Sequence, residues 1–233
     1  MNLTSLPLNE IDPRGDLKLR VGANRTEQDS TPKCFLVCSR TIARVSPVFD
    51  RMLNGSFAEA RREDGKEWIV DLPYDNPSAM ELFLNLSHGH AHKAPRSLST
   101  HELYDLTLLT HFYDATQVLA PWILPWIGSL EQDLLTSVGD DDAALPQMLY
   151  ISWELGHRQV FEATMRRITM EGLGSMFVEG SVLRQLQMPT DVVGKTISSL
   201  CLHSFIPMAD PTNSRTQNAS VRSGMRQSTH CWT

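Results

Sequence analysis

Three histidines, His88, His90 and His92, form a cluster of side chains that are able to bind a metal ion. Histidines at alternate positions share one face of a strand, and imidazole is a common ligand of zinc and nickel. No cysteine or carboxylate lies within a few residues to complete a set of four ligands, although His101 is a more distant candidate. The other interpretation is a solvated polar turn after a helix. We therefore predict no metal site, and keep metal binding through His88, His90 and His92 as an alternative function.

The cysteines and the acidic run at 140–142 form no catalytic motif. Cys34 and Cys38 are spaced C-x3-C with no second pair nearby, which indicates neither a zinc ribbon nor a disulfide framework. Cys38 beside a histidine would make a thiol–imidazole pair, but a buried structural cysteine is the favoured interpretation. The run Asp140-Asp141-Asp142 lacks the spacing of a calcium loop and is interpreted as a charged joint. The sequence also lacks the common hydrolase, metalloprotease and nucleotide-binding motifs, so we predict a non-enzymatic protein without catalytic residues or a cofactor.

Trp122 and Trp126 lie four residues apart and would share one face of a helix, most simply as part of the core. Ile123 and Ile127 form a second such pair, rotated by about 100° around the helix. The segment is therefore apolar on more than one side, which is more than a helix on a small sheet normally buries. We expect the extra face to meet the C-terminal helices, a second copy or another protein.

Hydrophobic periodicity and helix-capping residues predict the elements that position these side chains. Alternation of apolar and charged residues indicates strands, whereas Ser46-Pro47, Asn76-Pro77 and the Ser99/Glu102 capping box indicate helix starts. The predicted strands are Asp16–Val21, Lys33–Val37 and Trp68–Leu72. The predicted helices are Ser39–Arg44, Ser46 to Asn54-Gly55, Asn76 to Leu86, Ser99 to Tyr113, Val118–Leu130, Leu145–Leu155, Val160–Ile168 and Thr190–Phe205.

The composition is that of an ordinary soluble domain with a polar end. The 233 residues carry 21 basic and 27 acidic side chains, a net charge of −6, which argues against binding nucleic acid or acidic membrane through bulk charge. The first ten residues do not resemble a secretory signal, and no apolar run is long enough to cross a membrane. We expect an intracellular protein, in the cytoplasm or the nucleus. Residues 207–233 are mostly polar and are predicted to be disordered.

The segment Phe35 to Leu53 resembles the signature of the BTB/POZ domain, in which a strand leads into H-x-x-x-L-A-x-x-S-P-x-F-x-x-M. Ser46, Pro47, Phe49 and Met52 match that pattern, and Ile42 takes the place of the leucine. Further similar stretches are Gly55 to Glu59 (the F-x-E turn), Ile69 to Asp75 (a third strand and its loop) and Leu103 to Thr116 (the L-x-x-L-A-x-K-Y-D helix). The chain is most similar to fungal BTB-domain proteins, over about half of its length.

The resemblance implies an α+β fold, with a small three-stranded sheet flanked by helices and followed by a helical C-terminal extension. The implied organisation is a flexible lead-in (1–11), a BTB/POZ domain (12–128), the helical extension (129–206) and the disordered tail (207–233). Two departures stand out. Cys38 replaces the family's usual histidine at the strand–helix junction, where we expect a swapped packing contact. The 15 residues before the first strand also lack the amphipathic helix that many animal members exchange between subunits.

The resemblance further implies function through protein contacts, as an adaptor or an oligomerisation domain, with recruitment of a cullin-type ubiquitin ligase scaffold as one expected form of the adaptor role. The partner-binding residues expected on this basis are Tyr74, Phe83, His111 and Phe112, with core or rim positions as the alternative. The expected partners are proteins, such as a cullin scaffold, another BTB protein or a second copy of this chain. A transcription-associated regulator that acts through a partner is another alternative, although the sequence has neither a zinc finger nor a basic helix for direct DNA binding.

Overall fold

The computed structural model describes residues 6–25, 31–61, 66–136 and 144–170. The chain divides into two compact units, Met1–Thr164 and Met165–Thr233, and residues 165–170 are the described part of the second. The predicted joint at 140–142, the predicted helix at 190–205 and the predicted disordered tail lie outside the described residues. The described strands are β1 (Leu8–Glu10), β2 (Leu17–Val21), β3 (Lys33–Val37) and β4 (Ile69–Leu72). The described helices are α1 (Ser39–Val45), α2 (Pro47–Asn54), α3 (Pro77–Ser87), α4 (Thr100–Phe112), α5 (Ile123–Thr136), α6 (Ala144–Glu154) and α7 (Arg158–Met170).

The sheet has four strands in the order β1-β3-β2-β4. β2 and β3 are antiparallel, and the outer strands are parallel to their neighbours, β1 to β3 and β4 to β2. Leu17, Leu19 and Val21 of β2 face the core and are fully buried, as the alternation of apolar and charged residues predicts. The mixed α and β composition of the prediction is confirmed.

The prediction of three strands is wrong by one, because β1 lies in the segment predicted to be a flexible lead-in. Leu8, Asn9 and Glu10 pair with Cys34, Phe35 and Leu36, and the Asn9 side chain donates a hydrogen bond to the Cys34 carbonyl oxygen (3.3 Å). Ile11, directly after β1, is buried. A three-residue strand is too short to show a period of two, so its pairing with β3 decides its conformation.

The helix starts predicted from capping residues are confirmed for α2, α3 and α4. Asn76 accepts hydrogen bonds from the first turn of α3, and Ser99 and Glu102 form the predicted capping box of α4. The end of α2 differs from the prediction, since Gly55 has an extended φ of −90° instead of the left-handed cap conformation. Glycine is needed there for space, because a Cβ atom would lie 2.3 Å from the Arg51 carbonyl oxygen.

The segment predicted as one helix from Val118 to Leu130 is divided by its prolines. A 3-10 turn covers Thr116–Trp122, and α5 begins at Ile123, with Pro125 in its first turn where no backbone N–H is needed. Trp126 is fully buried, and its indole N–H donates to the Pro95 carbonyl oxygen (3.0 Å). Leu124 on the same helix is 76% exposed, so part of the apolar surface of this segment does face outward.

Candidate partner-binding surface

Two of the four residues expected to contact a partner, Tyr74 and Phe112, have large aromatic side chains that project from the surface. Tyr74 lies in the turn between β4 and α3 and is 72% exposed, whereas Phe112 is the last residue of α4 and is 61% exposed. Both were expected from the sequence to contact a partner. Their exposure is compatible with that role, since aromatic rings outside the core are enriched where proteins meet.

A buried hydrogen bond connects the chain positions next to these two side chains. The Tyr113 hydroxyl donates to the Asp75 carboxylate over 2.5 Å. Burial raises the pKa of Asp75, although this hydrogen bond and the charge of Arg25 partly oppose the rise. Burial also raises the pKa of Tyr113, as do the charge of Asp75 and the hydrogen bond, so the phenol keeps its proton and stays the donor. Asp75 and Tyr113 therefore fix the backbone from which Tyr74 and Phe112 extend.

The backbone at Tyr113 is held from α2 as well. The Ser46 hydroxyl donates to the Tyr113 carbonyl oxygen (2.5 Å) and accepts a hydrogen bond from the Phe49 backbone N–H (3.0 Å). The Phe49 and Tyr113 rings are stacked with centroids 4.2 Å apart. Ser46 and Phe49, the serine and the phenylalanine of the S-P-x-F sequence, are thus both fully buried and support the end of α4.

Phe83 was also expected from the sequence to contact a partner, and the structure corrects that expectation. It is fully buried, and its ring is stacked with those of Phe49 (6.3 Å) and Tyr113 (6.5 Å). A side chain in this position cannot contact a partner without opening the core. Phe83 instead supports Tyr113 from beneath.

His111 mainly faces a neighbouring helix, with 34% of its side chain exposed. Its Nδ1 lies 3.0 Å from a Glu154 carboxylate oxygen of α6, and the other oxygen accepts a hydrogen bond from the Thr116 hydroxyl (2.9 Å). The rings of Tyr150 and Trp153 flank the imidazole. His111 therefore joins α4 to α6, and of the four expected residues only Tyr74 and Phe112 are fully available to a partner.

The three clustered histidines do not converge on a common point. His88 uses both ring nitrogens, because Nδ1 donates to the Leu84 carbonyl oxygen (2.8 Å) and Nε2 accepts from the Cys38 backbone N–H (3.1 Å). His90 Nδ1 instead lies 3.2 Å from the Asn85 side-chain oxygen. Within the described residues, no three side chains of the usual ligand types are grouped to hold a metal ion. The geometry thus gives no support to metal binding through His88, His90 and His92.

The hydrogen bond from Cys38 places an imidazole at the junction of β3 and α1. The ring of His88 reaches this junction from the end of α3, 50 residues along the chain. Burial lowers the pKa of His88, with partial opposition from the hydrogen bond to Leu84. A neutral ring is required here, since a protonated Nε2 has no lone pair to accept the Cys38 N–H.

No family model and no curated protein matches the sequence. Among the described residues, no helix combines the length and apolar character that a membrane crossing requires. The residues that sequence reasoning missed at this surface are Asp75, Tyr113 and Glu154. The Tyr113–Asp75 and His111–Glu154 pairs each join residues 38 or more positions apart, and no local pattern in the sequence indicates such pairs.

Proposed function

We propose that this chain is a non-enzymatic BTB-type protein-interaction module that acts as an adaptor or an oligomerisation domain. The order of elements supports this assignment: an antiparallel pair of strands, two short helices separated by Ser46, and a strand parallel to the first of the pair, followed by helices. The buried roles of Ser46 and Phe49 explain why the S-P-x-F sequence is needed in such a fold.

The observation that carries the proposal is the exposure of Tyr74 and Phe112 on a fixed framework. Exposed aromatic rings are costly to leave in water, and those attached to a rigid backbone lose little further entropy when a partner covers them. Tyrosine in particular is frequent among the few residues that dominate binding energy at interfaces. The partner we propose is the N-terminal domain of a cullin-type scaffold, with a second copy of the chain as the other protein partner.

The test is a binding titration of the full chain with a purified cullin N-terminal domain, together with light scattering for self-association. Tyr74→Ala and Phe112→Ala should each weaken binding about thirtyfold, which corresponds to about 2 kcal/mol for an interface residue of this kind. Leu124→Ala is the matched control for the cullin titration, because it removes a still more exposed apolar side chain from a different element and should leave the affinity for the cullin domain unchanged.

Two results would contradict the proposal. One is a wild-type chain that stays monomeric in light scattering and binds no cullin domain. The other is binding that Leu124→Ala weakens as much as Tyr74→Ala and Phe112→Ala do, since the aromatic pair would then have no special role.

A further inference from the structure

α1 and α2 form a cleft of about 450 Å³ whose positive side is made by Arg40 and Arg44. These arginines lie one helical turn apart on α1, and both are exposed. Ala43 lines the cleft between them, and Asp50 and Asn54 of α2 form the other side. The two guanidinium groups therefore face a common space from one helix.

Among the residues that the structure describes, neither arginine is paired with a carboxylate, in contrast to the basic residues of the sheet. Lys18, Arg20 and Lys33 are paired with Glu67, Asp71 and Glu81, and the Arg20–Asp71 pair is bidentate with both distances 2.6 Å. For Arg40 and Arg44 no ion pair or hydrogen bond of the side chain is found within the part of the chain that the structure describes. Their donors remain available for bidentate contacts to an external carboxylate.

The acidic side of the cleft restricts which ligand fits. Asp50 accepts a hydrogen bond from the Asn54 side-chain amide (2.8 Å), and this leaves further acceptor capacity on its carboxylate. A ligand in the cleft must therefore present negative charge to α1 and hydrogen-bond donors to α2. An extended peptide with acidic side chains satisfies both conditions, because its backbone N–H groups are donors.

The distance between Arg40 and Arg44 on α1 determines which spacing of acidic residues in a peptide would match them. Side chains one turn apart on a helix are about 5–6 Å apart. Alternate side chains of an extended chain share a face and are about 6.6 Å apart, since each residue advances the chain by about 3.3 Å. Two acidic residues separated by one other residue therefore match Arg40 and Arg44.

We propose that the α1–α2 cleft binds an acidic peptide segment of a partner protein, with carboxylates at alternate positions contacting Arg40 and Arg44. The cleft favours this ligand over nucleic acid, because a peptide backbone offers N–H donors to Asp50, whereas a phosphate backbone without such donors is repelled by that carboxylate. Neither Tyr74 nor Phe112 lines this cleft, so the inference does not use the residues that carry the function proposed above.

The test is fluorescence anisotropy of the full chain with a labelled peptide that alternates glutamate and serine. The double substitution Arg40→Glu with Arg44→Glu should weaken binding at least about tenfold, since two charge-assisted contacts become repulsive. Arg14→Glu with Arg96→Glu is the matched control, because both arginines are exposed and the change in net charge is identical. This control should retain most of the binding, and thermal melting checks that each variant is folded.

The proposal is overturned if the two double variants weaken binding equally, or if a glutamine–serine peptide binds as tightly as the glutamate–serine peptide. Tighter binding of a single-stranded oligothymidylate that depends on Arg40 and Arg44 would also overturn it, by identifying a nucleic-acid surface.

Discussion

The buried hydroxyl of Ser46 makes two interactions. It caps α2, and it donates a hydrogen bond to the Tyr113 carbonyl oxygen. Ser46→Ala removes both interactions and leaves the Tyr113 carbonyl oxygen without this donor. We expect the free energy of unfolding to fall by about 2–3 kcal/mol, the sum of a lost cap and a lost buried hydrogen bond. Urea denaturation measures the change.

Ser99→Ala is the appropriate comparison for Ser46→Ala. Ser99 also caps a helix, but it is exposed and its hydroxyl contacts only residues of its own capping box. Its loss should cost about 1 kcal/mol. Equal losses in the two variants would mean that the hydrogen bond to Tyr113 contributes nothing.

His88 gives the protein a pH dependence of known sign. Its pKa is lowered in the folded state by burial, relative to about 6.5 in the unfolded chain. The unfolded state therefore binds the proton more readily. The free energy of unfolding should be highest above pH 6.5 and should decrease as the pH falls below that value, until the folded ring is protonated too.

His88→Gln removes this titration, so its stability should depend less on pH between 7.5 and 5 than that of the wild type. At pH 7.5 the variant should be less stable by about 1–2 kcal/mol, because the flexible amide of glutamine does not reproduce the two fixed ring nitrogens that bind the Leu84 carbonyl oxygen and the Cys38 N–H. His92→Gln, at an exposed position of the same cluster, should behave as the wild type does. Denaturant unfolding at several pH values distinguishes the variants, and identical pH profiles for all three proteins would refute the assignment.

At the scale of elements, the Asp75–Tyr113 hydrogen bond joins the β4–α3 turn to the end of α4. Tyr113→Phe keeps the stacking on Phe49 but leaves a partly buried carboxylate without this donor, at an expected cost of about 1–3 kcal/mol. Asp75→Asn keeps an acceptor for the phenol and removes a charge that burial disfavours, so it should cost less. A double-mutant cycle measures the coupling, and strictly additive effects would contradict a direct interaction.

Helix starts could be predicted from the sequence because their causes are local. Ser46-Pro47, Asn76-Pro77 and the Ser99/Glu102 box each satisfy free N–H groups within four residues, and all three lie where predicted. Burial of individual side chains could not be predicted in the same way. α3 has apolar residues on several faces, and the sequence does not reveal that Phe83 lies beneath Tyr113.

Two of the four expected residues, Tyr74 and Phe112, could be placed at element ends from the sequence for the same reason. Tyr74 follows a strand and Phe112 ends a helix, and both positions are recognisable from local patterns as element ends. The contact between His111 and Glu154 requires α6 to pack on α4, which depends on the whole chain. Strand β1 was missed because only its pairing with β3 defines it.

At the scale of the whole molecule, both ring nitrogens of His88 are hydrogen-bonded to backbone groups, so we predict that folding does not depend on a metal ion bound by His88, His90 and His92. Purified, tag-free protein should therefore melt at the same temperature with and without EDTA, and added zinc should not raise that temperature. Differential scanning calorimetry is the measurement. A decrease of several degrees in EDTA would restore the metal-binding alternative for His88, His90 and His92.

The pairing of β1 along β3 has a practical consequence for handling the protein. Leu8–Glu10 covers backbone groups of β3 that would otherwise lie at an open margin of the sheet. A chain trimmed at residue 11, the end of the predicted flexible lead-in, would leave the backbone groups of Cys34 to Leu36 unpaired on that side. Unpaired edge strands pair with one another between molecules, so the trimmed protein would tend to aggregate during expression and storage.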